Sequence, residues 1–155
     1  MPARPEDHSH DELRKRFGGL PAPDLDALAG RYSGGFPQPR AYELACRWGM
    51  AATGLGGWHG KRFETPGGGA TEAHVTNLVR SDEVKPMVAR IDSSLHDGAP
   101  ALVCTYRPDE TPPYRWVRDE FRAWDERTLL GLAFLDVPVL RAVGFPFVLR
   151  RDDSA

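Results

Sequence analysis

A run of short segments after residue 56, in which apolar and polar residues alternate, most constrains the fold of this chain. Alternation with a period of two is typical of β-strands that bury one face. Proline and Asp-Gly pairs separate the segments, and Asp97-Gly98 suits a type I′ hairpin turn. We predict strands at 30–36, 57–64, 72–80, 86–96, 100–107, 114–124, 127–135 and 143–150. About eight short strands with hairpin-length loops indicate a mainly β protein, a sandwich or a small antiparallel barrel.

One segment has the period of a helix instead. Between residues 40 and 55, apolar side chains recur at spacings of three and four, which predicts an amphipathic helix that covers one open end of a barrel. A shorter helical stretch is predicted at 11–17, inside a flexible N-terminal tail that spans 1–20; residues 21–151 form a single domain. The predicted apolar stripe of the long helix is Ala41, Leu44, Ala45, Trp48, Ala51, Ala52 and Leu55.

Composition narrows the function classes. The chain has 155 residues, which favours one domain, and a net charge of −2, which offers no basic surface for nucleic acid. Cys46 and Cys104 lie in unrelated segments, so we predict two reduced thiols in a cytoplasmic protein. No apolar run approaches the ~20 residues of a membrane span, so no integral membrane segment is expected. The five histidines lack metal-ligand spacing and the glycine runs lack phosphate-loop context, so no metal and no cofactor are predicted.

The stretch Gly56-Gly57-Trp58-His59-Gly60-Lys61-Arg62-Phe63 is unusual for a strand, because it contains three glycines. Glycines inside a strand indicate a bend or a close approach of another backbone. Strict alternation from an inward Phe63 would place His59 and Lys61 inside the barrel and Trp58 outside. A bend at Gly60 would break the alternation and reverse these faces.

The segment 115–124 contains an unexpected carboxylate. Alternation points Val117, Asp119, Phe121 and Ala123 inward and leaves a charged set facing solvent, namely Trp116, Arg118, Glu120, Arg122 and Trp124. A buried carboxylate is costly unless it is paired or faces a wet cavity, and such groups are often functional. Lys61 is the predicted partner of Asp119. A purely structural ion pair remains an alternative, as does a bulge that returns Asp119 to solvent.

Two motifs resemble a known bacterial family. Gly30-Arg31-Tyr32-Ser33-Gly34, followed by a helix and Trp58-His59-Gly60-Lys61-Arg62-Phe63, is similar to the GXWXG domain, whose motifs usually read Gly-x-Trp-x-Gly and Trp-x-Gly-Lys-x-Phe. The region 119–151 resembles the domain of unknown function that accompanies it, and the resemblance covers about 22–151. Tyr32 stands where the family usually has tryptophan. Glu120 stands where it commonly has histidine, so a role for that histidine does not carry over.

The resemblance implies a calycin-like barrel similar to lipocalins, in which Arg150 or Arg151 packs across Tyr32 as a cation–π contact. An eight-stranded barrel can hold one small ligand. We therefore predict a protein that binds a small apolar ligand, lipid-like or polyketide-like. The candidate binding residues are Tyr32, Trp58, His59, Lys61, Phe63, Ile91, Asp119, Phe121, Leu132, Phe134, Phe145 and Phe147, with Met87 as further lining.

Two other functions stay open at this point. One is a cofactor-free cyclase or isomerase of natural-product biosynthesis, in which Asp119 and Lys61 act as acid–base or anchoring groups. The other is a structural interaction module, a homodimer in which Trp116 and Trp124 mark the contact surface. A cavity with a carboxylate and a base within hydrogen-bond reach would favour the enzyme.

Overall fold

The computed structural model describes residues 3–64, 66 and 70–153, and they form a closed antiparallel β-barrel. The mainly β barrel predicted from the alternating segments is confirmed. There are two α-helices, α1 (His10–Phe17) and α2 (Arg40–Thr53). The eight strands are β1 (Gly30–Gly35), β2 (Trp58–Phe63), β3 (Glu72–Val79), β4 (Asp82–Ser93), β5 (Pro100–Tyr106), β6 (Val117–Ala123), β7 (Thr128–Leu135) and β8 (Phe145–Arg151).

Each strand pairs with its neighbours in the chain, and β1 pairs with β8 to close the barrel. Closure leaves no free sheet edge. The register places Tyr32 opposite Lys61 on one side and opposite Arg151 on the other. Leu102, Cys104 and Phe121 are fully buried in the main interior cluster.

Two glycines of the sequence motifs are required by close approaches between β1 and β2. A Cβ at Gly60 would lie 1.8 Å from the carbonyl oxygen of Tyr32, and a Cβ at Gly34 would lie 2.3 Å from the Trp58 ring. Only glycine avoids these overlaps. The register of β2 on β3 also shifts between Trp58 and Gly60. This bulge turns both Trp58 and Lys61 inward and leaves His59 exposed.

Helix α2 lies over one end of the barrel, because its side chains line the cavity there. The predicted inward face of the helix is wrong: Leu44 and Trp48 are 53% and 76% exposed, and the four alanines of the stripe are exposed too. Bonds from the opposite face explain the difference. Tyr42 donates a hydrogen bond to the Pro146 carbonyl at 2.8 Å. The face toward the barrel carries Tyr42, Cys46, Gly49, Met50 and Thr53.

The opposite end of the barrel is closed by Tyr32 and Arg151. The Tyr32 hydroxyl donates to the Leu28 carbonyl at 3.0 Å and accepts from Arg151 at 2.6 Å. The guanidinium carbon of Arg151 lies 5.1 Å from the Tyr32 ring centroid. The predicted cation–π contact on the first-strand aromatic is therefore confirmed, with Arg151 as the cation.

Helix α1 packs on the outer face of the barrel. It lies within the predicted flexible tail, yet its side chains Leu13 and Phe17 are fully buried. They pack with Leu130, Leu132 and Phe134, which project outward from β7. Strand β7 is thus covered on both sides, as its sequence predicts. Residues 10–17 belong to the packed structure.

The outer face of β6 is also covered, which corrects the predicted solvent exposure of Glu120 and Arg122, whereas Trp116 is 42% exposed, as predicted. Glu120 is fully buried and accepts hydrogen bonds from the Ser94 hydroxyl and from the Leu95 amide at 2.8 Å. All five donors of the Arg122 guanidinium are bonded to Asp97 and backbone carbonyls. The loop 94–99 is longer than the predicted type I′ turn, because it folds over β6 and supplies Ser94, Leu95 and Asp97 as partners.

Candidate functional site

A cavity of about 410 Å³ lies inside the barrel under α2. Its volume is within the usual range for small-molecule sites, and most of its lining is apolar. A larger depression of about 760 Å³ lies at the surface beside α1, outside the barrel, and its lining includes the exposed side chains of Glu12, Lys15 and Arg16. The barrel cavity is lined by Phe36, Tyr42, Cys46, Gly49, Met50, Thr53, Leu55, Trp58, Lys61, Asn77, Tyr106, Pro113, Tyr114, Val117, Asp119, Ala133, Phe134, Leu135, Phe145 and Phe147.

A buried ion pair lies in the wall of this cavity. The Lys61 ammonium is 3.1 Å from Oδ2 of Asp119, and the two side chains are 2% and 8% exposed. Lys61 comes from β2 and Asp119 from β6, so the contact crosses the barrel interior. Inward alternation places Asp119 here, and the bulge in β2 places Lys61 here. The two charges cancel, which satisfies the requirement that buried charges be paired.

Asn77 on β3 connects the ion pair to the rest of the interior. Its Oδ1 accepts hydrogen bonds from the Lys61 ammonium at 2.9 Å and from the Trp58 indole at 3.1 Å. Its Nδ2 donates to the Tyr106 hydroxyl and to the Lys85 carbonyl, both at 3.0 Å. All four hydrogen-bonding positions of the amide are used, so Asn77 fixes the orientation of Lys61, Trp58 and Tyr106.

Two phenols give the cavity further polar groups. Burial raises the pKa of Tyr106 well above its ordinary value, and the negative charge of Asp119 raises it further. Burial likewise raises the pKa of Tyr114, whose hydroxyl lies 2.5 Å from the Thr53 hydroxyl. Both phenols are therefore protonated at neutral pH and can act as hydrogen-bond donors.

Neither cysteine is an activated nucleophile. Burial raises the pKa of Cys104, which is opposite Asp119 in the β5–β6 register, to about 12. Burial also raises the pKa of the Cys46 thiol, which lines the cavity from α2. A reactive cysteine needs a depressed pKa, so both behave as neutral apolar groups.

The cavity brings together half of the residues predicted from the sequence. Lys61 and Asp119 form its ion pair. Trp58, Phe145 and Phe147 also line it, with Phe145 40% exposed at its edge. Phe134 borders the cavity from β7, although its side chain belongs to the outer cluster with α1.

The other predicted residues lie elsewhere. Phe63 and Phe121 are buried in the interior cluster with Met87 and Tyr32, but they are outside the cavity lining. Tyr32 lies at the end of the barrel opposite α2, which it closes together with Arg151.

Three predicted positions are corrected by the structure. The ring of His59 faces outward, with Nε2 2.9 Å from the Arg80 carbonyl, because the bulge removes it from the inward face. Ile91 is 43% exposed near the end of β4. Leu132 is fully buried, but it points outward against α1, because its neighbours Gly131 and Ala133 take the inward positions of β7.

Sequence reasoning missed Asn77, Tyr106 and the cavity face of α2. Asn77 carries the same signal as Asp119: alternation places it with Ala73, Val75 and Val79 on an otherwise apolar face. Alternation likewise places Tyr106 on the same face of its strand as the apolar residues Leu102 and Cys104. The cavity face of α2 gives no such signal, because it mixes tyrosine, cysteine, glycine and threonine.

The described residues contain neither a metal-binding cluster nor a membrane-spanning helix. No group of three or more histidine, cysteine, aspartate or glutamate side chains among them is arranged to hold a metal ion. In the same residues, no helix has the length and apolarity needed to cross a membrane.

Comparison with known proteins supports the fold alone. The barrel is similar to that in a crystal structure of a protein from Thermomonospora curvata, with a TM-score of 0.64 and 18% sequence identity over 96% of this chain and 90% of the other. No family model matches the chain. No curated protein matches it either. The resemblance to the GXWXG domain therefore stays a prediction.

Proposed function

We propose that the protein binds a small apolar molecule inside the barrel. The observation that carries this proposal is the cavity of about 410 Å³, closed off on one side by α2 and containing a small set of convergent polar groups. Sites for small molecules combine largely apolar walls with a few fixed polar groups. Here the polar groups are held by the Asn77 network, so little ordering cost accompanies binding.

The first experiment measures bound mass and probe binding. Native mass spectrometry of freshly purified protein detects a retained apolar molecule. Titration with the neutral fluorescent probe N-phenyl-1-naphthylamine measures access to the cavity in the emptied protein. We expect saturable binding of the probe. Absence of both a retained mass and probe binding would refute the proposal.

A matched pair of variants locates the binding. Gly49 lines the cavity, and a Cβ built there meets no atom within 4 Å, so Gly49→Leu introduces a side chain at the cavity without a contact at its Cβ. Ala45 of α2 is exposed and lies outside the cavity lining, which makes Ala45→Leu the control. We expect Gly49→Leu to weaken probe binding by about tenfold, since one side chain occupies part of the site. Equal affinities of the two variants would place the probe elsewhere.

A second candidate is a cofactor-free cyclase or isomerase, and one specific observation favours it. Asp119 lines the cavity, and its Oδ1 has no hydrogen-bond donor within reach among the described residues. A carboxylate open to a bound molecule can accept a proton, and the nearby Tyr106 hydroxyl can stabilise the resulting oxyanion. Lys61 would hold the Asp119 carboxylate in place through its contact with Oδ2.

Proton abstraction gives this candidate its own test. Deuterium uptake at the α-carbon of an apolar ketone such as 2-tetralone in D₂O is followed by NMR, with the uncatalysed exchange subtracted. We expect acceleration by the wild type and its loss in Asp119→Asn, with probe binding retained. Equal exchange rates for the two proteins would rule out proton abstraction by Asp119 and would leave ligand binding as the function.

A further inference from the structure

The cation in the cavity wall is already fully engaged by protein groups. Lys61 has three N–H donors, and three acceptors surround its ammonium: Oδ1 of Asn77 at 2.9 Å, Oδ2 of Asp119 at 3.1 Å and Sδ of Met87 at 3.2 Å. The side chain is 2% exposed. A ligand carboxylate would have to displace one of these partners to bond with Lys61.

The polar atoms beside Lys61, in contrast, have hydrogen-bonding positions that no protein group among the described residues uses. Oδ1 of Asp119 has no donor within hydrogen-bond distance in the part of the chain that the structure describes, and Asp119 lines the cavity. The Tyr106 hydroxyl accepts from Asn77, and its own hydrogen has no acceptor among the same residues. Beside Lys61, the described residues therefore offer one anionic acceptor, Asp119, and one phenolic donor, Tyr106. A hydroxyl group can satisfy both, because it donates one hydrogen bond and accepts others.

The net charge of the cavity lining also favours a neutral ligand. Lys61 and Asp119 are the charged side chains in its lining, and together they are neutral. An anionic ligand would bring a second negative charge next to Asp119, and the described lining has no free cation to balance it. Burial of an unpaired charge is costly, whereas a neutral hydroxyl avoids that cost.

We infer that the cavity selects neutral, hydroxyl-bearing apolar molecules over the corresponding carboxylates. The inference rests on the ligand-binding function proposed above and adds the chemical class of the ligand. The bound hydroxyl donates to Oδ1 of Asp119 and accepts from Tyr106, while its apolar part lies against Phe147, Met50 and Leu135.

The test compares two ligands that share one carbon chain. Displacement of N-phenyl-1-naphthylamine by 1-decanol and by decanoate is measured at pH 8, where decanoate is ionised. In the wild type we expect decanol to bind at least about tenfold more tightly than decanoate, because the carboxylate faces Asp119 without a counter-charge. Decanoate binding as tightly as decanol, with the probe still bound, overturns the inference and leaves the binding function intact. Failure of the probe and of both ligands refutes the binding function itself.

Two variants assign the preference to named groups. Asp119→Asn removes the negative charge and leaves Lys61 as the one charge in the lining, so we expect the preference for decanol to shrink by about tenfold. Tyr106→Phe removes the donor but no charge, so it should weaken decanol binding severalfold without reversing the preference. An unchanged ratio of affinities in folded Asp119→Asn contradicts the inference. If that variant does not fold, unchanged decanol affinity in Tyr106→Phe contradicts it.

Discussion

The ammonium of Lys61 lies 3.1 Å from Oδ2 of Asp119 across the barrel interior, with both side chains removed from solvent. Such a pair adds little stability by itself, but loss of one partner leaves an unpaired buried charge. The arrangement therefore fixes the charge balance of the cavity. Removing one partner should therefore lower the free energy of unfolding more than it does for a surface ion pair.

Lys61→Met should destabilise the protein strongly, because Asp119 then lacks its counter-charge. We expect a loss of about 3–5 kcal/mol in the free energy of unfolding, measured by urea denaturation. The double variant Lys61→Met/Asp119→Leu removes both charges and should regain most of that loss. A double-mutant cycle therefore gives a large coupling energy.

Arg107→Met supplies the control for this cycle. Its partner Asp109 is 3.2 Å away, and both side chains are mostly exposed. We expect a cost below about 1 kcal/mol, as for other surface pairs. If Lys61→Met costs no more than Arg107→Met, the buried ion pair does not hold the cavity together.

Gly60 and Gly49 should respond oppositely to alanine. Gly60→Ala places a Cβ 1.8 Å from the Tyr32 carbonyl oxygen, which no small shift of the backbone relieves. We expect it to unfold the protein or to lower its melting temperature by many degrees. Gly49 lies inside α2 with open space around it, so Gly49→Ala should stabilise by about 0.5–1 kcal/mol. Similar melting temperatures for the two variants would contradict this assignment of the motif glycine.

Much of the barrel and part of the site can be predicted from the sequence, because alternation states which side chains share a face of a strand. It located all eight strands and the inward position of Asp119. It raised a bend at Gly60 only as an alternative and could not decide for it, although one extra residue reverses every face before it.

Alternation also cannot tell whether a face is covered by another part of the chain. Glu120 and Arg122 lie on the polar face of β6, yet the loop 94–99 and α1 cover both side chains. For α2, the stripe residues inside the helix, four alanines with Leu44 and Trp48, are exposed, and only Leu55, just after the helix, lines the cavity. Its inner face was selected by hydrogen bonds such as Tyr42 to Pro146, which no periodicity encodes.

Phe17→Ala tests whether α1 is part of the folded unit. The Phe17 ring is fully buried against β7 and lies 4.5 Å from the guanidinium carbon of Arg122. Its removal should cost about 3–5 kcal/mol of unfolding free energy, as for other buried phenylalanines. Lys15→Ala, an exposed position on the same helix, should change it by less than about 0.5 kcal/mol. Equal effects would show that α1 is a loosely attached tail.

Asp97→Asn should remove part of the acid sensitivity of the fold. Hydrogen bonds from Arg122 lower the pKa of Asp97 from its ordinary value of 3.8 to about 2. A pKa depressed in the native state means that the unfolded chain binds the proton more tightly. The stabilisation from Asp97 is therefore complete above pH 3.8 and is lost as the pH falls through about 2.

Unfolding free energies of wild type and Asp97→Asn, measured from pH 6 to pH 2, test this directly. We expect the variant to be less stable at pH 6, because Arg122 is 1% exposed and loses its counter-charge. The difference between the two proteins should shrink as the pH approaches 2, since wild-type Asp97 becomes protonated there. Asp109→Asn, at an exposed pair, should keep the wild-type pH profile. A stability difference that is constant with pH would mean that the Asp97 charge does not stabilise the loop on β6.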